Sequence, residues 1–572
     1  MTRDANTGEA LAFVDEWVRG GVTVASLAPG SRSTPLALAL AADRRIRLEV
    51  FLDERSAAFF ALGAAKASGR PAVVLTTSGT AAANIHPAVV EAAHSRAPLL
   101  ACTADRPPEL RDTGANQAID QVKLFGSAVR WFADVGVPED ASHAGRYWRS
   151  VAARSVATAT GPPAGPVHLN VTFREPLVPT GEPVPSPGRS GTAPWVVSRG
   201  HRPAPDAADV ERLASLVARA ERGLIVAGWG AAADPGVVEQ FAHIAGWPVL
   251  ADPLSGLRTG ARTVSTYDAL LRAPAFAADH RPEVVVQLGA PLTGRVSSTW
   301  LGDVTDRILV DPDGAWLDPA RGGGERVAAD ATGLLHEVAA AVPGPRDGEW
   351  SKRWLEAEVA ARRALDDLLD SWDEPFEGRV ARDLVDGLPA GATLVVGSSM
   401  PVRDVESFAR PRTGLRFVAN RGASGIDGFN STTLGVAAAS AGSTAPVAGL
   451  AGDLTFLHDA GGLLAAPARR LDAVLVVVDN DGGGVFSFLP QARSPEHFDT
   501  LFGTPHGIDL SAVAAAYRVP TRRIDRAPEL MPAVVEGLGA GGLRVVVVPS
   551  DRSTNVDRHR QAWEAVAAAV TN

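Results

Sequence analysis

The sequence predicts an α/β protein made of three consecutive, doubly wound parallel-sheet domains. Short apolar runs alternate with Ala-rich stretches of helical period along the chain, the pattern of parallel strands covered by helices. Two breaks dense in Pro, Gly and Ser, at 174–209 and 342–348, cut that alternation into three blocks. A length of 572 residues lets each block bury its own core.

In chain order, the first block (1–185) offers the strands "VTVASLAP", "PAVVLTTS", "APLLACTAD" and "GPVHLNV", with "SAAFFALGAAKAS" as a buried helix. The central block (200–345) repeats the alternation with "GLIVAGWG", "WPVLADP", "EVVVQLGAP" and "DRILVDPD". A long amphipathic helix, "EWSKRWLEAEVAARRALDDLLDSW", leads into the third block (355–572). Its strands are "ATLVVGSS", "LRFVANRG", "APVAGLAGD", "LDAVLVVVDN" and "LRVVVVPS".

Bulk properties narrow the function. A net charge of −10 and a pI near 5.7 argue against a nucleic-acid binder or an anionic-membrane binder. No apolar run is long enough for a membrane span. The start, "MTRDANTGEALAFVDEWVRG", lacks the basic and apolar regions of a secretory signal. The single cysteine, Cys102, excludes an internal disulfide and fits a reducing cytoplasm, the expected location. Only Lys66, Lys123 and Lys352 are lysines, so one isolated arginine carries little meaning and position must decide.

Position points to the third block. Ligands of an open parallel sheet collect at the carboxyl ends of its strands. Two apolar runs there end in oxygen-bearing side chains 27 residues apart, Asp453 after Gly452 and Asn480 before Gly482, Gly483 and Gly484. A carboxylate and an amide oxygen suit Mg2+, which keeps water and substrate phosphate as its other ligands. The glycines let the backbone approach closely, and one of their carbonyls can be a third ligand. The plain alternative is a pair of polar caps at a sheet edge.

"GDLTFLHD" and "VVVDNDGGG" together resemble the metal motif of thiamin-diphosphate-dependent enzymes, which opens with Gly-Asp and closes with Asn. The resemblance implies Mg2+ (or Mn2+) held by Asp453, Asn480 and the Gly482 carbonyl against the coenzyme diphosphate. It also implies a buried carboxylic acid at the coenzyme's pyrimidine ring. Glu54, in "LEVFLDERSAAFFALG", matches that role, and "TTSGTAAAN" matches the glycine loop that follows it, with Ser78 and Gly79. In this family the pyrimidine-binding domain of one chain meets the diphosphate-binding domain of another. A homodimer, or a homotetramer as a dimer of dimers, is therefore expected, with active sites at the chain interface. Gly452, Leu454, Gly483, Gly484, Met400 and Gln117 join the expected coenzyme set, with Ile426 as the wedge under the bent coenzyme and Phe486 lining its thiazolium.

The substrate is read from loop arginines. "APGSRSTPL" (Ser31, Arg32), "TADRPPELRDTGANQAIDQ" (Arg106, Asn116, Gln117), "GSSMPVRDVE" (Ser399, Arg403) and "NRGASGIDG" (Arg421) each follow an expected strand. They are expected to converge on one rim as a pocket for polycarboxylates. These stretches resemble the 2-succinyl-5-enolpyruvyl-6-hydroxy-3-cyclohexene-1-carboxylate synthases of menaquinone biosynthesis. That resemblance implies decarboxylation of 2-oxoglutarate and 1,4-addition of the succinyl-semialdehyde carbanion to isochorismate, with CO2 released. It implies binding of both acids by Ser31, Arg32, Arg106, Asn116, Gln117, Ser399, Arg403 and Arg421. Catalytic roles fall to Glu54, Arg32, Ser399, Arg403 and Arg421.

Alternatives remain. Another thiamin-diphosphate-dependent 2-oxoacid decarboxylase or an acetolactate-synthase-like carboligase would carry the same metal motif. A catalytically dead scaffold is a third reading, against which Glu54, Asp453 and Asn480 all stand. In the central block "VAGWGAAADPG" offers Gly228, Gly230 and Ala233, with Asp252 beyond, as a weak nucleotide fingerprint. Arg96, in "EAAHSRAPLL", is either a helix-end surface residue or part of an effector site.

Overall fold

The fold is that of a computed structural model, which describes residues 4–140, 143–181, 185–346, 348–442, 445–464 and 466–571. Residues 182–184 of the first Pro/Gly-rich break and Asp347 of the second lie outside the described residues.

Three parallel sheets follow one another. The first contains β1 (Val24–Leu27), β2 (Arg47–Val50), β3 (Ala72–Thr76), β4 (Leu99–Asp105), β5 (Trp131–Gly136) and β6 (Val167–Thr172), in the order β2-β1-β3-β4-β6-β5. The second contains β7 (Gly223–Ala227), β8 (Val249–Ala251), β9 (Val284–Leu288), β10 (Asp306–Val310) and β11 (Glu325–Val327), in the order β11-β10-β9-β7-β8. The third contains β12 (Thr393–Val396), β13 (Arg416–Ala419), β14 (Val447–Gly452), β15 (Ala473–Asp479), β16 (Thr521–Arg523) and β17 (Leu543–Pro549), in the order β13-β12-β14-β15-β17-β16. Central strands such as β3, β4 and β9 are buried along their whole length, because helices cover both faces of each sheet.

The helices that position the site are α1 (Glu54–Ser68), α2 (Glu349–Asp370), α3 (Glu377–Gly387), α4 (Met400–Phe408), α5 (Phe429–Ala439), α6 (Asp453–His458) and α7 (Arg552–Thr571). α2 is the long amphipathic helix. It packs on α7 and inserts Trp350 and Trp354 into the central-domain core beside Phe276 and Trp300.

The first and third domains are locked by α1 against α5. A Cβ on Gly63 would stand 2.1 Å from the Thr432 carbonyl oxygen, and one on Gly435 would stand 2.0 Å from that of Phe60. Only glycine permits backbones so close. Beside this seam Lys66 Nζ donates to Glu91 (2.6 Å), the Ala419 carbonyl (2.8 Å) and Asn420 (3.1 Å). The Glu91 carboxylate in turn accepts the backbone N–H groups of Gly422 and Ala423. Arg96 ties the first domain to the second through Asp311 (2.9 Å) and Asp313 (2.8 Å). No described helix is long and apolar enough to cross a membrane.

Candidate active site

The third sheet changes winding direction between β12 and β14, and a cavity of about 430 Å3 opens at the carboxyl ends of those strands. Ser399 follows β12, Arg421 follows β13, Asp453 follows β14 and Asn480 follows β15. All four line the cavity, with Met400, Arg403, Ile426, Gly452, Leu454, Gly482, Gly483, Gly484 and Phe486. Every third-block residue expected in the site is thus gathered in one place.

The donor set fits a divalent cation. Asp453 Oδ2 accepts the Gly482 N–H at 2.8 Å and lies 3.2 Å from His506 Nε2, while Oδ1 accepts the Leu454 N–H at 2.6 Å. Burial pushes the Asp453 carboxyl above the usual carboxylate range, although those donors oppose the shift. A bound cation would reverse that penalty. Asn480 is buried; its Nδ2 donates to Glu377 Oε1 at 2.9 Å and its Oδ1 has no partner. An unpaired buried amide oxygen beside a desolvated carboxylate is costly unless an ion completes it. Asp479 and His506 stand close by, with ligand atoms of Asp453, Asp479 and His506 within 4.8 Å of one another.

The glycines have separate jobs. Gly482 has φ +135°, and a Cβ there would meet the Gly503 carbonyl oxygen at 1.9 Å. A Cβ on Gly484 would stand 2.7 Å from Asn480 Nδ2, so its absence makes room for the amide. Ser399 holds φ +73°, a region that non-glycine residues rarely enter and that often marks a functional turn. Arg403 Nη1 donates to the Ser399 carbonyl at 2.5 Å, holding that guanidinium over the turn. Burial and the neighbouring Arg403 keep Arg421 below the usual arginine range.

The first-block residues form a second group elsewhere on the chain. They lie at the carboxyl ends of β1, β2, β3 and β4, around the winding reversal of the first sheet. Arg106 Nη1 donates to Ser78 Oγ (2.6 Å) and Nη2 to the Asn116 carbonyl (2.8 Å). Gln117, at φ +58°, exchanges hydrogen bonds of 3.0 Å with Ser78, and its side chain packs at Gly79. Arg32 is buried, donates to the Phe173 carbonyl and leaves Nε unpaired; burial and Arg106 hold it below its ordinary range. Ser31 is exposed beside it. Glu54 opens α1 half-buried and accepts a hydrogen bond from Asn84 Nδ2 at 3.1 Å.

The four arginines therefore do not share one rim within a chain, and the expected convergence would need a second chain. Arg403 and Arg421 line the cavity; Arg32 and Arg106 do not, and neither does Glu54. Within one chain the expected site residues form two separate groups.

Several neighbours escaped the sequence reading. Glu377 reads as an ordinary first-turn acid of a helix, yet it turns inward to Asn480, and burial and Asp404 push its carboxyl up to about 7. His506 sits in the loop "GTPHGI", whose Gly-Pro character was its only signal. The central-domain fingerprint is used internally: Gly228 admits the Ala290 backbone, and Asp252 accepts the N–H groups of Leu254 and Thr293. Arg96 is paired and also faces the Trp229 ring at 5.9 Å. Burial pushes the Cys102 thiol far above its ordinary value, so it stays a neutral core residue.

Comparison with known proteins identifies the family. Residues 9–124 match the family "Thiamine pyrophosphate enzyme, N-terminal TPP binding domain", 190–396 match "Middle domain of thiamine pyrophosphate" and 403–548 match "Thiamine pyrophosphate enzyme, C-terminal TPP binding domain". A crystal structure of benzoylformate decarboxylase from Polynucleobacter necessarius shares the fold, with TM-score 0.71 at 18% identity over 96% of this chain and 99% of that one. A protein of Geobacillus kaustophilus named 2-succinyl-5-enolpyruvyl-6-hydroxy-3-cyclohexene-1-carboxylate synthase is 45% identical over 99% of both chains. One of the same name from Thermobifida fusca is 47% identical, again over 99% of both. The chain belongs to the thiamine pyrophosphate enzymes and, among them, to the 2-succinyl-5-enolpyruvyl-6-hydroxy-3-cyclohexene-1-carboxylate synthase family.

Proposed function

We propose that the chain is a cytoplasmic, thiamin-diphosphate-dependent transferase of menaquinone biosynthesis. It takes 2-oxoglutarate, releases CO2 and joins the remaining four-carbon unit in a 1,4 sense to isochorismate, giving 2-succinyl-5-enolpyruvyl-6-hydroxy-3-cyclohexene-1-carboxylate. The observation that carries this reading is end-to-end identity of 45–47% with relatives named for that synthase. Two pairs of arginines, one on each half-site, suit substrates that are both polycarboxylates.

Asp453, Asn480 and the Gly482 carbonyl would hold Mg2+ or Mn2+, and Gly482, Gly483 and Gly484 leave backbone room for the diphosphate. The coenzyme, when bound, supplies the electron sink for the carbon that loses CO2. Glu54 would hold and return a proton at the pyrimidine ring; Asn84 occupies its Oε2 and leaves Oε1 for that exchange. Arg403 and Arg421 would bind carboxylates from the third-domain side, while Arg32, Arg106, Asn116 and Gln117 face them from the first-domain side. Ser31 and Ser399 are placed to bind beside these arginines. Ile426 and Phe486, on the cavity wall, would shape and line the coenzyme site.

A complete centre needs both half-sites, so a second copy must bring its first domain over the cavity, in a dimer or a dimer of dimers. Leu52, two residues before Glu54, is 72% exposed, an apolar side chain suited to such a contact. Incubation of the full chain with thiamin diphosphate, Mg2+, 2-oxoglutarate and isochorismate, with the product identified by mass, tests the reading. The adduct is expected only when both acids are present. Succinic semialdehyde as the sole product would instead favour a simple decarboxylase.

A further inference from the structure

Asn480 can serve a cation only if its amide points the right way round. An amide group has an oxygen on one side and an NH2 on the other, and a half-turn about its last bond swaps them. Here the NH2 faces Glu377 Oε1 at 2.9 Å and the oxygen is left unpaired in the buried cavity wall. Oε1 already accepts a second donor, the Ser550 hydroxyl, so any proton on this carboxyl sits on its other oxygen and Oε1 rejects the flipped amide.

Glu377 is itself fixed. It opens α3, is only 4% exposed, and its Oε1 also accepts the Ser550 hydroxyl at 3.1 Å. Asn480 and Ser550 stand just beyond β15 and β17, paired neighbours whose register matches Asp479 with Pro549. One glutamate oxygen thus spans two adjacent strand ends. A first-turn acid serving only its own helix would face the helix N–H groups or water. Gly484 completes the arrangement by leaving space at Asn480 Nδ2.

We infer that Glu377 is a positioning residue that aims the Asn480 carbonyl oxygen at the divalent cation, through the reach of its side chain and an oxygen that only accepts. The inference rests on the metal reading proposed above. Partners of this kind around a ligand set its orientation, and losing one typically costs about 10–100-fold in metal affinity.

The test uses the full chain with thiamin diphosphate and Mn2+, free ion being followed by electron paramagnetic resonance. Glu377→Gln keeps the reach but puts an NH2 beside the acceptor oxygen, so a half-turn lets it pair with the flipped Asn480 amide; it is expected to bind Mn2+ about tenfold more weakly than the parent. Glu377→Asp keeps the charge and withdraws the oxygen by one methylene; it is expected to bind about 10–100-fold more weakly. Adding Asn480→Asp to Glu377→Asp is expected to recover affinity, because a carboxylate presents an oxygen whichever way it turns. Parental affinity in either single variant, or no recovery in the double variant, would overturn the assignment. A parent chain that binds no Mn2+ would instead sink the metal reading itself, and the two failures are told apart by that first titration.

Discussion

His506 donates to Asp453 and accepts from the backbone. Its Nδ1 accepts the Ile508 N–H at 3.0 Å, so the proton of the neutral ring lies on Nε2, 3.2 Å from Asp453 Oδ2. With the Gly482 N–H on the same oxygen, Oδ2 takes two donors, while Oδ1 accepts the Leu454 N–H alone and keeps a lone pair for a cation. His506→Ala is therefore expected to weaken Mn2+ binding about tenfold in the presence of thiamin diphosphate, measured by calorimetry. Unchanged affinity would mean that the ring only fills its loop.

Glu54→Gln separates proton transfer from binding. An amide keeps the size and the contact with Asn84 but cannot hold and return a proton. Turnover is expected to fall by about 10²–10⁴-fold with coenzyme affinity nearly unchanged. Full turnover in that variant would remove the role given to Glu54.

Arg403 faces the cavity from α4, anchored to the Ser399 carbonyl. Arg403→Ala is expected to raise KM for an acid substrate by about 10–100-fold, the worth of a charge-assisted hydrogen bond. The dissociation constant for thiamin diphosphate should stay near that of the parent. Equal losses in both would contradict a substrate role.

The contact between the central and third domains carries a pH dependence. Burial, with Asp252 and Asp268 nearby, pushes the Glu406 carboxyl up to about 8, although Tyr267 OH (2.7 Å) and the Gly294 N–H (3.0 Å) donate to it. The folded chain therefore keeps a proton that the unfolded chain releases at ordinary glutamate pH. Stability from this group is present below the unfolded value and falls as pH rises towards about 8, by about 1.4 kcal/mol per pH unit. Glu406→Gln should flatten that slope in urea unfolding and gain on the parent most at the alkaline end. Parallel curves would refute the assignment.

What the sequence made legible follows from where its signals are local. The buried strands declare themselves as apolar runs. Four strands do not: Arg47–Val50, Trp131–Gly136, Glu325–Val327 and Thr521–Arg523. Each lies at a sheet edge, and most carry charge, which blunts edge pairing and erases the apolar pattern. The same holds for the site. Asp453, Asn480 and the glycines can be read because they close consecutive strands of one motif. Glu377 reaches Asn480 across 103 positions and His506 reaches Asp453 across 53, and packing alone brings those pairs together.

The interlocked glycines Gly63 and Gly435 hold the first and third domains of a chain backbone to backbone, and the proposed centre pairs each domain's group with its counterpart on a second copy. Lesions in different halves should then complement one another. Pair a subunit silenced by Glu54→Gln with one silenced by Asn480→Ala: one centre inherits both faults and the other inherits neither. Mixing and re-associating two inert preparations in equal amounts should thus restore about a quarter of normal turnover, as a two-fold symmetric pair demands.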